Sequence, residues 1–181
     1  VIRSVWPTDF SGIDPAVLDN ARDRGIQTDA LFSAYVTGSL TKIPAGTRTD
    51  VYNPETSAGL LQKLMKWWDD LGEDASNHDG SQPLTQQILA DDEIAGTCDL
   101  LTAGIFDLKC TAQLQPQYEI QLGMYGLLYE AMYGKKPDAL GIIHVNASMR
   151  VPECVNLDVE ACMRDAAAIR EVWRVIQRRS K

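Results

Sequence analysis

Three residues in the stretch IAGTCDLLTAGIFDLKC, positions 94 to 110, have chemically active side chains where a sheet interior would favour valine: Asp99, Asp107 and Lys109. The stretch reads as two short strands, about 94–101 and 104–110, joined by Thr102-Ala103-Gly104 as a tight connection. Side chains alternate across a strand. Ile105, Asp107 and Lys109 therefore share one face of the second strand, and Ala95, Thr97, Asp99 and Leu101 share one face of the first. The expectation is a hairpin with one apolar face, its other face carrying two carboxylates and an ammonium within about 5–10 Å of one another. Carboxylates this close ionise cheaply only with a cation between them, and hard oxygen ligands completed by water are how Mg²⁺ or Mn²⁺ is held. Lys109 would orient an attacking water or neutralise charge growing on a phosphate. Together these are the parts of a metal-dependent phosphodiester hydrolase. Periodicity alone also allows a solvent-facing strand pair with one cross-strand Asp/Lys contact, worth at most about 1 kcal/mol.

The elements that must position these residues follow from periodicity and punctuation. Asp14-Pro15 signals a short helix through about Arg24, and Gly25 separates it from a second helical run, IQTDALFSAYVTGSL. A loop-like stretch covers Leu40 to Asn53. Thr56 to about Leu71 is an amphipathic helix with Leu60, Leu61, Leu64, Met65 and Trp68 on its apolar face and Gly72 placed to end it. EDASNHDGSQP is a polar linker, and a strand at about 84–89 precedes the hairpin. A long helix is expected over about 117–133, strands over about 139–145 and 153–157, and a last helix over about 159–178. No internal repeat is present. Helices, a strand meander, and a helix crossing to further strands specify an α/β fold with a central mixed β-sheet flanked by helices.

With 181 residues and 45% hydrophobic composition, the chain suits one domain spanning 1–181. No run of eighteen or more apolar residues occurs, and the opening VIRSVWPTDFSG lacks the basic-then-apolar order of a signal peptide. The expectation is a cytoplasmic protein without membrane contact. Cys98, Cys110, Cys154 and Cys162 show no C-x-x-C spacing, which favours reduced core thiols over disulfides or a metal knuckle. The net charge of −8 argues mildly against a protein that coats nucleic acid. Positive charge is local, however: Arg164, Arg170, Arg174, Arg178, Arg179 and Lys181 crowd the C-terminal segment, with Arg22, Arg24, Lys63 and Lys66 as a second source. The C-terminal run serves equally as a solvated helix end that complements the helix dipole.

Gly96-x-x-Asp99 on one strand, then Asp107-x-Lys109 on the next, resembles the PD-(D/E)XK nuclease superfamily. Gln121-Leu-Gly-Met-Tyr125 on the following helix is similar to the Q-x-x-x-Y pattern of its RecB-like and phage exonuclease branch. The i, i+4 spacing places Gln121 and Tyr125 on one helix face. The resemblance covers about residues 14 to 160 and is strongest from 94 to 125. It departs from the pattern at Arg24-Gly25-Ile-Gln-Thr-Asp29, where the branch carries R-G-x-x-x-His, and near Gln86, where a Glu or other polar residue is common. It implies hydrolysis of DNA with one or two Mg²⁺ or Mn²⁺ held by Asp99, Asp107 and the Leu108 carbonyl, with Asp29 completing a second metal. Lys109 would position the water, and Gln121 and Tyr125 would support the substrate phosphate or the lysine. Short members of the branch are phage recombination exonucleases acting on duplex ends beside a single-strand annealing protein, some as homo-oligomeric rings, in a bacterial or phage-infected cell. The alternative is a nuclease fold that has lost catalysis and serves as a DNA-end or protein-binding module. Asp99, Asp107 and Lys109 being intact stands against that reading.

Overall fold

The computed structural model describes residues 11–45, 47, 56–71 and 82–179. Its elements run α1 (Pro15–Val36), α2 (Ser57–Leu71), β1 (Leu84–Ala90), β2 (Ala95–Leu101), β3 (Ile105–Lys109), α3 (Gln117–Tyr133), β4 (Leu140–His144), β5 (Glu153–Leu157) and α4 (Val159–Arg179). The strands form one five-stranded sheet in the order β1-β2-β3-β4-β5. All neighbours are antiparallel except β3 and β4, which are parallel. A parallel pair needs a crossover, and α3 supplies it. The sheet is thus mixed and flanked by helices, the α/β arrangement that the sequence pattern specifies. None of the described helices is long and apolar enough to cross a membrane.

Both faces of the sheet are covered. On one, Leu122, Tyr125 and Leu128 of α3 and Met163 of α4 pack with Leu89, Cys98, Leu101, Ile105, Leu140 and Ile142. On the other, Phe32 and Val36 of α1 and Leu60, Leu61 and Leu64 of α2 pack with Leu100, Leu108, Ile143 and Val145. Phe32 and Trp68 join α1 to α2 edge to face, with ring centroids 5.8 Å apart. All four cysteines are free thiols.

Two expectations are corrected. The helix break at Gly25 does not occur: α1 is continuous, started by Pro15 and by the Asp14 side chain accepting from Ala16 N at 2.8 Å. A single interior glycine costs only about 1 kcal/mol relative to alanine, and burial of Thr28, Phe32, Ser33 and Val36 offsets it. The expected alternation holds in β3, where Phe106 and Leu108 pack towards α2 and Ile105, Asp107 and Lys109 face α3, but not in β2. Cys98 and Leu101 both pack towards α3 and Leu100 towards α2, so the alternation of β2 breaks at Asp99. Gly72 and most of the expected linker lie outside the described residues, as does much of the 40–53 loop.

The C-terminal helix does more than present cations. The Arg170 guanidinium meets Asp91 at 2.6 Å and Glu93 at 2.5 Å, and Arg174 also pairs with Glu93, so α4 clamps the turn between β1 and β2. The Arg170–Asp91 pair is 13% and 14% exposed, which removes it from the weak, fully hydrated class. Lys181 lies outside the described residues.

Glycine lets α3 and α4 touch. A Cβ on Gly123 would lie 2.1 Å from the Cys162 carbonyl oxygen, a backbone atom that cannot move alone. Gly123→Ala is therefore expected to push the two helices apart and destabilise the protein by about 1–3 kcal/mol or more. Urea unfolding, read as a lower midpoint at unchanged slope, checks this.

Candidate active site

Asp107 sits at the middle of β3 with its side chain turned towards α3, and is 2% exposed. Lys109, two residues on, shares that face, and its ammonium forms an ion pair with Asp107 Oδ2. That oxygen accepts no hydrogen bond of proper geometry, so the ionic contact is its whole compensation. Gln121, in the first turns of α3, bridges the pair. Its Oε1 accepts from Lys109 Nζ at 3.1 Å, and its Nε2 donates to Asp107 Oδ1 at 3.2 Å and to Tyr125 Oη at 2.9 Å. One amide thus fixes the acid, the base and the phenol together, and the opposite polarities of its two ends set its orientation.

Asp99 enters from β2. The ladder between β2 and β3 holds only Leu100↔Phe106 and Leu101↔Ile105, and beyond them the strands splay. Asp99 Oδ2 fills the gap, accepting from the Leu108 amide N at 2.7 Å. A residue's N–H and C=O leave a strand on the same edge, so the Leu108 carbonyl shares the edge that faces Asp99. Lys109 confirms the alternation, since its own carbonyl turns to β4 and accepts from Val145 N at 3.0 Å. Gly96, the first residue of the Gly-x-x-Asp pattern, has a steric reason. A Cβ there would stand 2.7 Å from Tyr125 Cε1, so the glycine admits the ring that Gln121 holds.

Asp29 reaches the same region from α1. Gln86 Nε2 donates to both its oxygens, at 3.2 and 2.9 Å, and approaches Ser33 Oγ at 3.4 Å. Gln86 has a φ of +53°, the left-handed region that a residue with a side chain adopts at a cost of about 1–3 kcal/mol. The β1–β2 register skips it, running from Thr85↔Leu100 to Gln87↔Cys98. The break at Gln86 on one strand and Asp99 on the other is one local distortion, and it lies beside the carboxylates.

The electrostatics show three acids in each other's fields. Burial, then the charges of Asp107 and Asp29, push the Asp99 carboxyl up to about 7. Burial raises Asp107 as well, against the pull of Lys109. Asp29 is raised by burial and by the Asp107 charge, with the Gln86 amide opposing. Among the described residues no three His, Cys, Asp or Glu side chains converge closely enough to hold an ion by themselves. A cation here would rest on Asp99 and Asp107 with the Leu108 carbonyl and water. Asp29, held by Gln86, lies beside that set and not within it.

The residues that sequence reasoning singled out thus fall in one region. It missed Tyr118, whose ring lies under the Lys109 ammonium at 4.7 Å. The signal was available: Tyr118 precedes Gln121 by three residues, so both project from one face of α3. Gln86 was legible only as a weak counterpart of a polar position, because nothing in its type announces a left-handed backbone.

No protein-family model matches the chain, and no curated protein matches it significantly. A match exists among solved structures. The crystal structure from Eubacterium rectale named "Putative exonuclease" superposes with a TM-score of 0.50 at 16% identity, covering 86% of this chain and 66% of that one. What the two share is the fold. This chain spans slightly less than two thirds of that protein's length.

The raised acids make a signed prediction. A carboxyl whose folded pKa exceeds its unfolded value near 4 binds its proton more tightly in the fold. Its contribution to stability is therefore full below about pH 4 and is lost as pH rises to about 7 for Asp99. Asp99→Asn keeps an acceptor for Leu108 N and removes the charge. In metal-free buffer the variant is expected to melt above the wild type at about pH 7.5, with the gap closing towards about pH 4. Thermal unfolding in EDTA across that range measures it, and a gap of opposite sign would contradict the burial of this charge.

Proposed function

We propose that the protein is a metal-dependent DNA nuclease of the PD-(D/E)XK type, of the RecB-like or phage exonuclease branch. The observation that carries this reading is the Asp107–Lys109–Gln121–Tyr125 network on β3 and α3, with Asp99 bonded to the Leu108 amide across the splayed strands. An isolated surface Asp/Lys pair does not account for it, because Asp107 is 2% exposed and its second oxygen lacks a hydrogen bond. A fold that shares its shape with an exonuclease-named structure is compatible with the reading.

The donor set fits a hard divalent ion. Buried carboxylates with raised pKa values, one with an oxygen held only by the Lys109 ammonium, favour their ionised form when a cation joins them. Asp99, Asp107 and the Leu108 carbonyl would hold Mg²⁺ or Mn²⁺, with Asp29 as the second-site residue once released from Gln86. The ion would supply charge stabilisation at the phosphate and a more acidic bound water. The chain's own groups do the rest. Lys109, fixed by Gln121 and carried over the Tyr118 ring, presents an ammonium to the water and to the charge that develops on the phosphate. Tyr125 holds the Gln121 amide, so its role is to keep Lys109 and Asp107 at fixed separation. Phosphorus gains the water oxygen and loses the bond to the departing sugar oxygen; of the two water protons, one ends on that sugar oxygen and the other stays with the phosphate or passes to solvent.

Lys109→Ala and Asp107→Ala are each expected to lower the cleavage rate at least about a hundredfold. The assay is Mg²⁺-dependent digestion of end-labelled linear duplex, with covalently closed circles alongside. Digestion of the linear form alone identifies an exonuclease, and turnover unchanged in either variant overturns the assignment. Millimolar Mg²⁺ or Mn²⁺ is also expected to raise the melting temperature of the wild type, because the ion relieves acid repulsion in the native state only. Asp107→Ala should lose most of that rise.

A further inference from the structure

The proposed reading leaves open how so acidic a protein holds a polyanion, and several of its cations are already taken. Arg22, Lys66, Arg164, Arg170 and Arg174 each meet a carboxylate. Among the described cations that meet no described carboxylate, Arg24, Lys63 and Arg150 line two clefts, the first of them at the end where the parallel strands β3 and β4 finish. The carboxyl end of parallel strands is where open α/β sheets characteristically bind ligands.

The first cleft, of about 210 Å³, is lined by Arg24, Leu60, Cys110, Thr111 and Asn146. Cys110 follows Lys109 but packs on the α1–α2 side of the sheet, where its thiol feels the charges of Asp29, Arg24, Asp99 and Lys109, so this cleft lies close to the candidate active site. The Arg24 Nε is buried there with no acceptor among the described residues. The second, of about 360 Å³, is lined by Lys63, Lys66, Trp67, Asp70 and Arg150. Lys63 joins the two: its ammonium donates to the carbonyls of Asn146 and Ala147, at 2.9 and 3.1 Å, which pins the loop after β4 to α2. Burial holds that ammonium below the ordinary lysine range, as expected of a cation without a counter-charge. Lys66 pairs with Asp70 at 2.8 Å, but both are more than half exposed, so the pair is weak and easily exchanged for a phosphate.

We infer that these two clefts are the path of a single nucleic-acid strand leading to Lys109, with phosphates on Arg24, Lys63 and Arg150 and a base stacked on Trp67. The inference rests on the nuclease reading for its direction. The chemistry is that of single-strand channels in general: a basic groove tracking the backbone and an aromatic platform tolerant of sequence. Clefts of this volume lie at or below the small end of the range for small-ligand sites, and take one nucleotide at a time and not the width of a duplex. The path also differs from one along α4, whose Arg170 and Arg174 are already engaged by the β1–β2 turn.

The test measures binding in EDTA, where nothing is cut, using fluorescein-labelled dT12 and fluorescence anisotropy over a range of NaCl. Arg150→Ala, at an exposed position, is expected to weaken binding several-fold and to lower the slope of log affinity against log salt by about 0.7, the share of one single-strand phosphate contact. Arg178→Ala with Arg179→Ala is expected to change neither. Trp67→Phe should remove most of the tryptophan quenching that bound dT12 produces. Wild-type affinity and slope in Arg150→Ala, absence of dT12 binding by the wild type, or tighter binding of a blunt 12-base-pair duplex would each overturn the inference. The two readings fail separately. A strand bound in these clefts by a protein that cuts nothing refutes the nuclease and leaves the path. Cleavage abolished by Asp107→Ala with no effect of Arg150→Ala on binding does the reverse.

Discussion

The arrangement depends on one hydrogen bond that replaces a missing stretch of sheet. Past Leu100 and Phe106 the β2–β3 ladder stops, and the Asp99 carboxylate takes the Leu108 amide that a strand carbonyl would otherwise accept. A splayed pair with no such substitute would leave a buried N–H unsatisfied, at a cost of about 1–3 kcal/mol. With it, the strands separate without leaving that N–H unpaired, and an acidic group stands in the opening. The glycine at 96, the flipped alternation of β2 and the left-handed Gln86 opposite are local adjustments to the same opening.

Burying three acids beside one lysine is poor economy for stability. Burial raises the carboxyls of Asp29, Asp99 and Asp107, so their ionised forms are held less comfortably in the fold than in water. The rest of the molecule offsets this through two well-filled cores and the Arg170 clamp.

Much of this was legible in the sequence, and for identifiable reasons. Long periodic segments such as 57–71 and 159–179 carry a strong pattern, and the strands are bounded by turn residues, so element order and class follow. The clustering of Asp99, Asp107, Lys109, Gln121 and Tyr125 was readable because strand alternation and the i, i+4 rule constrain where side chains point. What sequence rules missed are places where tertiary packing overrides a local preference. Gly25 stays inside a helix because its neighbours are buried, and β2 loses strict alternation because one backbone unit is diverted to Asp99. The burial of Asp107 was equally hidden, since a period of two places it on a face and says nothing of whether a helix covers that face.

The bonds that define the site join residues 12, 14 and 57 positions apart in the chain. The sheet hairpins are local and form early; the crossover helix must fold back before Lys109 and Asp107 acquire Gln121. During synthesis the ribosome therefore releases the acidic strands well before the residue that orders them. Until Tyr125 has emerged, the nascent chain lacks the side chains that hold Asp107 and Lys109 in the network of the finished fold.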